Sequence, residues 1–114
     1  MKENRVYLVH MRDAIDRVLT YTSGGREAFF ADRKTQDAVL RNLEVLGEAA
    51  KNVAGPVKDA HPNIPWKRIA GMRDKLIHEY FGVDLALVWE VVEREIVPLR
   101  DRLSALLERL EEQS

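Results

Sequence analysis

Arg73 and His78, five positions apart, are the pair of residues in this sequence whose side chains best suit the cleavage of a phosphodiester. Cutting RNA without a metal ion requires a base for the proton of the attacking 2′-hydroxyl, an acid for the leaving oxygen and a cation for the phosphate charge. Histidine titrates near about pH 6.5 and serves as base or acid. Arginine stays charged and presents a planar fork that matches phosphate oxygens. The pair would suffice for a ribonuclease, since DNA lacks the 2′-hydroxyl. The alternative at this point is that Arg73 is an ordinary solvated charge and that His78, beside Leu76 and Ile77, is a structural histidine.

The periodicity around this pair predicts one continuous helix, and helix geometry limits what a single copy can do. Residues five apart are turned by about 140° around a helix, so Arg73 and His78 do not share a narrow face. Asp74 lies four positions before His78 and is predicted to orient the imidazole. Tyr80, seven positions after Arg73, would return to the Arg73 side. Two copies related by a two-fold axis would gather both pairs around one cleft, so catalysis would favour a dimer.

Other kinds of site find little support in the sequence. The chain has no cysteine, which excludes disulfides and thiolate metal sites. His10 and His61 lack metal-ligand spacing, and the zinc-like start at His78-Glu79 fails because Gly82 stands where the second histidine is needed. A glycine-rich phosphate loop and a serine nucleophile with a nearby histidine are also missing. We therefore predict no metal and no cofactor.

Apolar residues recur at helical spacing along nearly the whole chain, which predicts an all-α fold. The first helix carries an apolar stripe, Leu8, Met11, Ile15, Val18 and Thr22, and ends at Ser23-Gly24-Gly25. A short turn follows, which is expected to place Phe29 and Phe30 inward. The second helix covers 35–53 and is closed by Gly55 and Pro56. The third starts near Pro65 and runs to about Gly82. The fourth is capped by Asp84 and kinked by Pro98. The prediction is a single domain over residues 1–114, a four-helix bundle with short extra helical turns.

Two details of this pattern concern packing. Gly47 lies inside the second helix, where glycine costs about 1 kcal/mol relative to alanine, and its presence suggests the close approach of another helix. Leu87, Val91 and Leu107 lie beside the main apolar seam of the fourth helix. This wider stripe is consistent with a partner surface, and equally with an ordinary buried helix.

Composition restricts the class of protein. The chain of 114 residues is 46% hydrophobic and 32% charged, and its longest apolar runs are far too short to cross a membrane. No signal-peptide pattern is present at Met1, so we expect a soluble cytoplasmic protein. The formal net charge of −1 excludes nucleic-acid binding by bulk charge alone. Four cations within nine residues, at Lys67, Arg68, Arg73 and Lys75, could engage RNA locally.

The pattern Arg73-Asp74, His78 and Tyr80 resembles the signature of HEPN domains of the HepT-like branch. Residues 35–53, TQDAVLRNLEVLGEAAKNV, resemble the second-helix block of that family, and residues 64–92 resemble its central block. The two long blocks, in order and at the expected separation, make the resemblance far more specific than the arginine and histidine alone. It covers roughly residues 5 to 100.

This resemblance implies a metal-independent RNA endonuclease that acts as a homodimer on tRNA or mRNA. It also implies a toxin paired with a minimal nucleotidyltransferase antitoxin, which neutralises it by transferring AMP to Tyr80. Not every HEPN member cleaves RNA. The alternative is a non-catalytic helical dimer that supports the nucleotidyltransferase or holds a nucleotide, and a third hypothesis is a plain bundle protein without a partner. An intact set of Arg73, His78 and Tyr80 argues against both alternatives.

Overall fold

The computed structural model describes residues 2–78 and 82–112, and these form an all-α bundle, as predicted. Four longer helices make up the bundle: α1 (Lys2–Tyr21), α3 (Arg33–Asn52), α7 (Leu85–Arg94) and α8 (Ile96–Glu112). Four shorter helices occupy the connections: α2 (Arg26–Ala31), α4 (Gly55–Ala60), α5 (Trp66–Ala70) and α6 (Met72–Leu76). None of the helices in the described ranges is both long and apolar enough to cross a membrane.

One apolar core joins the longer helices. The predicted stripe of α1 is confirmed, because Leu8, Met11, Ile15 and Val18 are fully buried. It packs against α3 and α8, which contribute the buried residues Val39, Leu43, Leu46, Leu103 and Leu106. Removing these side chains from water is the main stabilising contribution to such a bundle. The short helix α2 adds Phe29, which is buried, whereas Phe30 is exposed rather than turned inward as the sequence suggests.

The first end of α3 has a side-chain cap, and its second end differs from the prediction. Asp32 caps α3 by accepting a hydrogen bond from the Lys34 backbone N–H, with 3.1 Å between the two heavy atoms. The sequence predicts that Gly55 and Pro56 close the second helix. In the structure α3 already ends at Asn52, and Gly55 and Pro56 form the first turn of α4. Proline suits that turn because its missing N–H has no helical partner there.

Pro98 divides the predicted fourth helix into two, α7 and α8. The break lies at Glu95, three residues before the proline. Pro98 has no N–H to donate to the Arg94 carbonyl, and its ring would collide with that oxygen in a continuous helix. The Glu95 N–H still donates to the Val91 carbonyl at 2.9 Å, and the Glu95 carbonyl accepts from the Leu99 N–H at 3.1 Å, so both backbone groups of Glu95 keep their hydrogen bonds at the break.

The third helix is shorter than predicted, and the prediction that it runs to about Gly82 is wrong. It is divided at Gly71 into α5 and α6, and α6 ends at Leu76. Two short antiparallel strands follow, β1 (Ile77–His78) and β2 (Gly82–Val83), with His78 opposite Gly82. The β-branched Ile77 favours extended backbone, and Gly82 has a φ of +76°, which side chains other than glycine rarely accept.

The wide apolar stripe of the fourth helix is largely an internal feature of one chain. Val91 and Leu107 are buried in the monomer core, and Leu87 is half-buried against it. Two of the three residues are therefore covered without a second copy. The stripe is explained by ordinary burial and does not itself support a dimer.

Candidate active site

Arg73 lies on α6, a five-residue helix that packs against α3 and α7. Met72 and Leu76, on either side of it in the sequence, are buried and hold the helix to the core. The Arg73 side chain, by contrast, is 61% exposed. The local amphipathic pattern therefore presents a permanently charged guanidinium to solvent from an anchored turn.

The position of the segment that carries Arg73 is determined by a tight contact between α5 and α3. A Cβ atom added to Gly47 would lie 2.9 Å from the backbone oxygen of Ile69 and 3.6 Å from that of Ala70. The absence of a side chain at Gly47 is what allows α5 to approach so closely. The prediction that Gly47 marks the close approach of another helix is confirmed.

Glu44 is the charged partner of Arg73. Its Oε2 atom lies 3.8 Å from Arg73 Nε, and its side chain is only 28% exposed. Glu44 precedes Gly47 by three residues on α3, so both residues lie on the helix face that α5 and α6 cover. The distance is that of an ion pair without a hydrogen bond.

A groove of about 340 Å³ runs between α3 and α6 beside this pair. Its walls carry cations and carboxylates in equal number and are formed by Arg41, Glu44, Gly47, Glu48, Lys51, Ala70, Arg73 and Asp74. Lys51 and Glu48 pair across one helical turn at 3.3 Å. Asp74 is exposed. The groove is thus polar and open, with Arg73 on one wall.

His78 follows Arg73 into β1 rather than along a helix. The His78 backbone pairs with Gly82 of β2. Directly after β2, the Asp84 N–H donates a hydrogen bond to the Leu76 carbonyl at 2.8 Å. Asp84 also caps α7 as predicted, because its carboxylate accepts from the Leu87 N–H at 3.1 Å. The structure describes the backbone of His78. Its side chain and the whole of Tyr80 lie outside the described residues.

The helical premise of the predicted site geometry is wrong. The sequence predicts Asp74 and His78 on one helix face and Tyr80 back on the Arg73 side, and both predictions need a helix that continues to Gly82. Since α6 ends at Leu76, those angular relationships do not apply. The roles of Arg73, Asp74, His78 and Tyr80 remain predictions, and the structure assigns Arg73 a partner, Glu44, that the sequence did not single out.

A signal for Glu44 does exist in the sequence. Gly47 indicates the face of α3 that another helix approaches, and a carboxylate one turn away on that face is well placed to meet a cation of the approaching segment. Identifying Arg73 as that cation required the position of α6. In the part of the chain that the structure describes, no three His, Asp or Glu side chains come close enough together to hold a metal ion.

Comparison with known proteins places this architecture in a family. The family model described as "Ribonuclease HepT-like" matches residues 11–106. The chain is 42% identical over 106 residues to a protein of Thermococcus cleftensis named probable ribonuclease HepT, covering 92% of this chain and 96% of that protein. It is 40% identical over 110 residues to a Caldanaerobacter subterraneus protein provisionally named an RNase, covering 96% and 98%.

A longer relative shows that the same unit occurs in a larger protein. A Methanocaldococcus jannaschii protein, whose name gives a gamma-glutamylcyclotransferase and provisionally an RNase, is 41% identical over 111 residues. That match covers 96% of this chain but only 50% of the relative, so the chain spans about half of that protein. No solved structure matches the chain. The chain belongs to the HepT-like ribonuclease family.

Proposed function

We propose that the chain is an RNA endonuclease that works without a metal ion, with Arg73 and His78 as its catalytic residues. The observation that carries the proposal is the exposed Arg73 guanidinium, which an anchored helix presents at the wall of an open groove. His78 follows within five residues, and membership of a ribonuclease family agrees with RNA as the substrate. The substrate class is tRNA or mRNA.

The chemistry follows from the two side-chain types. His78 removes the proton of the 2′-hydroxyl, and that oxygen attacks the adjacent phosphorus. The bond to the 5′-oxygen breaks, and this oxygen leaves with a proton from an acid, for which a second histidine is the simplest source. Arg73 stabilises the charge that collects on the phosphate oxygens during the attack. Asp74, exposed beside Arg73, has the supporting role of orienting the pair.

A homodimer supplies the second histidine. One copy contributes one Arg73 and one His78, and two copies around a two-fold axis contribute a base, an acid and two cations. The proposal depends on the family resemblance and on this chemical requirement. The apolar stripe of α7 and α8 does not support it.

The same proposal gives the protein a biological role as the toxin of a toxin–antitoxin pair. A minimal nucleotidyltransferase antitoxin transfers AMP from ATP to the Tyr80 oxygen, and pyrophosphate leaves. The product carries a bulky group with a negative phosphate close in sequence to His78, which disfavours an incoming RNA backbone. A non-catalytic dimer that serves only as a partner of the nucleotidyltransferase is the competing hypothesis.

Purified variants test the catalytic assignment. Arg73→Ala and His78→Ala should each abolish RNA cleavage and growth inhibition while the helical circular dichroism stays unchanged. Arg109→Ala removes an exposed cation from α8, away from the groove, and should cleave like the wild type. A chelator should have little effect. Near wild-type cleavage by either active-site variant, or strong chelator inhibition reversed by added metal, would refute the mechanism.

A further inference from the structure

We propose that Glu44 is a positioning residue for Arg73, and this inference depends on the ribonuclease function proposed above. Glu44 Oε2 lies 3.8 Å from Arg73 Nε across the groove between α3 and α6. The contact restrains the direction of a long side chain that is 61% exposed and has four rotatable bonds. Glu44 itself does not need to touch RNA.

The side of the guanidinium that Glu44 contacts matters for the chemistry. A guanidinium has five N–H donors in a fixed planar arrangement: one on Nε and two on each Nη. A carboxylate beside Nε leaves the terminal Nη donors free to make a bidentate contact with phosphate. Glu44 therefore contacts the Nε side of the Arg73 guanidinium, and the phosphate of the substrate can bind the Nη atoms.

The two partners differ in how firmly they are fixed. Glu44 is half-buried on the long helix α3. It lies one turn from Gly47, where the backbone of α5 packs directly against α3. Arg73 projects from a five-residue helix into solvent. Glu44 is thus the fixed reference and Arg73 the mobile group. Because the separation exceeds hydrogen-bond length, the carboxylate can direct the guanidinium without consuming the Nε donor.

Steady-state kinetics of RNA cleavage test the proposal, because the loss of a positioning residue should lower kcat and leave KM nearly unchanged. Glu44→Gln keeps the shape of the side chain and removes its charge. It should lower kcat about fivefold, the scale of one partly exposed ion pair, and change KM less than twofold. Glu44→Asp retains the charge and should lose less than Glu44→Gln.

A matched control comes from the same helix. Asp37 pairs with Arg33 at 3.5 Å on α3, outside the groove, so Asp37→Asn removes an ion pair of similar length that is more exposed than the pair of Glu44 with Arg73. Its kcat should equal that of the wild type. An unchanged kcat in Glu44→Gln, or an equal loss in Asp37→Asn, would overturn the proposal.

Nuclear magnetic resonance of the RNA-free protein separates this inference from the ribonuclease function. The ¹⁵N heteronuclear NOE of Arg73 Nε–Hε should exceed that of the exposed Arg109 in wild type and in Asp37→Asn. In Glu44→Gln it should fall to the Arg109 value. If the NOE behaves in this way but the wild type cuts no RNA, the ribonuclease function fails and the restraint stands. If the wild type cuts RNA and Arg73 is as mobile as Arg109, the positioning role fails and the function stands.

Discussion

Gly47 on α3 and Ile69 on α5 meet so closely that a single methyl group at position 47 would lie 2.9 Å from the Ile69 backbone oxygen. Real Cβ atoms essentially never come so near an oxygen, so the backbone of one helix would have to move. This contact sets the position of α5 and, through Gly71, of α6 and Arg73. A packing feature of the core thus determines where the candidate active site lies.

Gly47→Ala should therefore destabilise the protein, although alanine is the better helix former. Overpacking costs about 1–3 kcal/mol, and the gain in helix propensity is about 1 kcal/mol. We expect a net loss of about 1 kcal/mol in the free energy of unfolding, measured by urea denaturation. Gly55→Ala is the control, since a Cβ there meets no atom within 4 Å. A Gly47→Ala variant as stable as wild type would contradict the close approach.

Asp84 offers a second test of stability, at the junction between the short strands and α7. Its carboxylate accepts from Leu87 N–H at 3.1 Å, and its own N–H donates to the Leu76 carbonyl at 2.8 Å. Asp84→Ala removes the cap and should lower the free energy of unfolding by about 1 kcal/mol. Asp84→Asn retains a capping oxygen and should stay within a few tenths of a kcal/mol of wild type. Equal losses in the two variants would show that the lost stability does not come from the capping hydrogen bond.

The sequence predicted most of the fold because helical periodicity and end signals are local properties. The buried stripe of α1, the Asp84 cap and the close approach at Gly47 all follow from spacing within one segment. The sequence also placed Pro98 as an interruption. The break lies at Glu95 because Pro98 has no N–H to donate to the Arg94 carbonyl, and this requires counting four residues back from the proline.

Apolar periodicity alone could not predict where the third helix ends. Leu76 and Ile77 continue an apolar pattern that suits a helix or a buried strand equally well. What decides between them is tertiary: Gly82 and Val83 return to pair with Ile77 and His78, and Asp84 donates to the Leu76 carbonyl. The ion pair of Glu44 with Arg73 was missed for the same reason, since it joins residues 29 positions apart.

The dimer prediction has a direct measurement. Multi-angle light scattering at high micromolar concentration should give about twice the mass of the 13.1 kDa chain. If the shared cleft needs the histidines of both copies, adding an excess of His78→Ala to the wild type should lower the cleavage rate, because subunit exchange gives mixed dimers that hold only one His78. A monomer that cleaves RNA at full rate would refute the shared cleft.

Tyr80→Phe tests the regulatory part of the proposal, and its argument depends on chain length alone. Two residues span at most about 7 Å, so any group joined to Tyr80 is attached close to His78 whatever the local conformation. A nucleotide there adds bulk and negative charge where an RNA phosphate has to approach.

Phenylalanine at position 80 keeps the ring and removes only the acceptor oxygen. After coexpression with the nucleotidyltransferase, the intact mass of the wild type should increase by one or more AMP units, whereas Tyr80→Phe should gain none and should remain toxic. AMP found on another residue would remove Tyr80 from the site and leave Arg73 and His78 unaffected, and a wild type that never inhibits growth would favour the non-catalytic dimer.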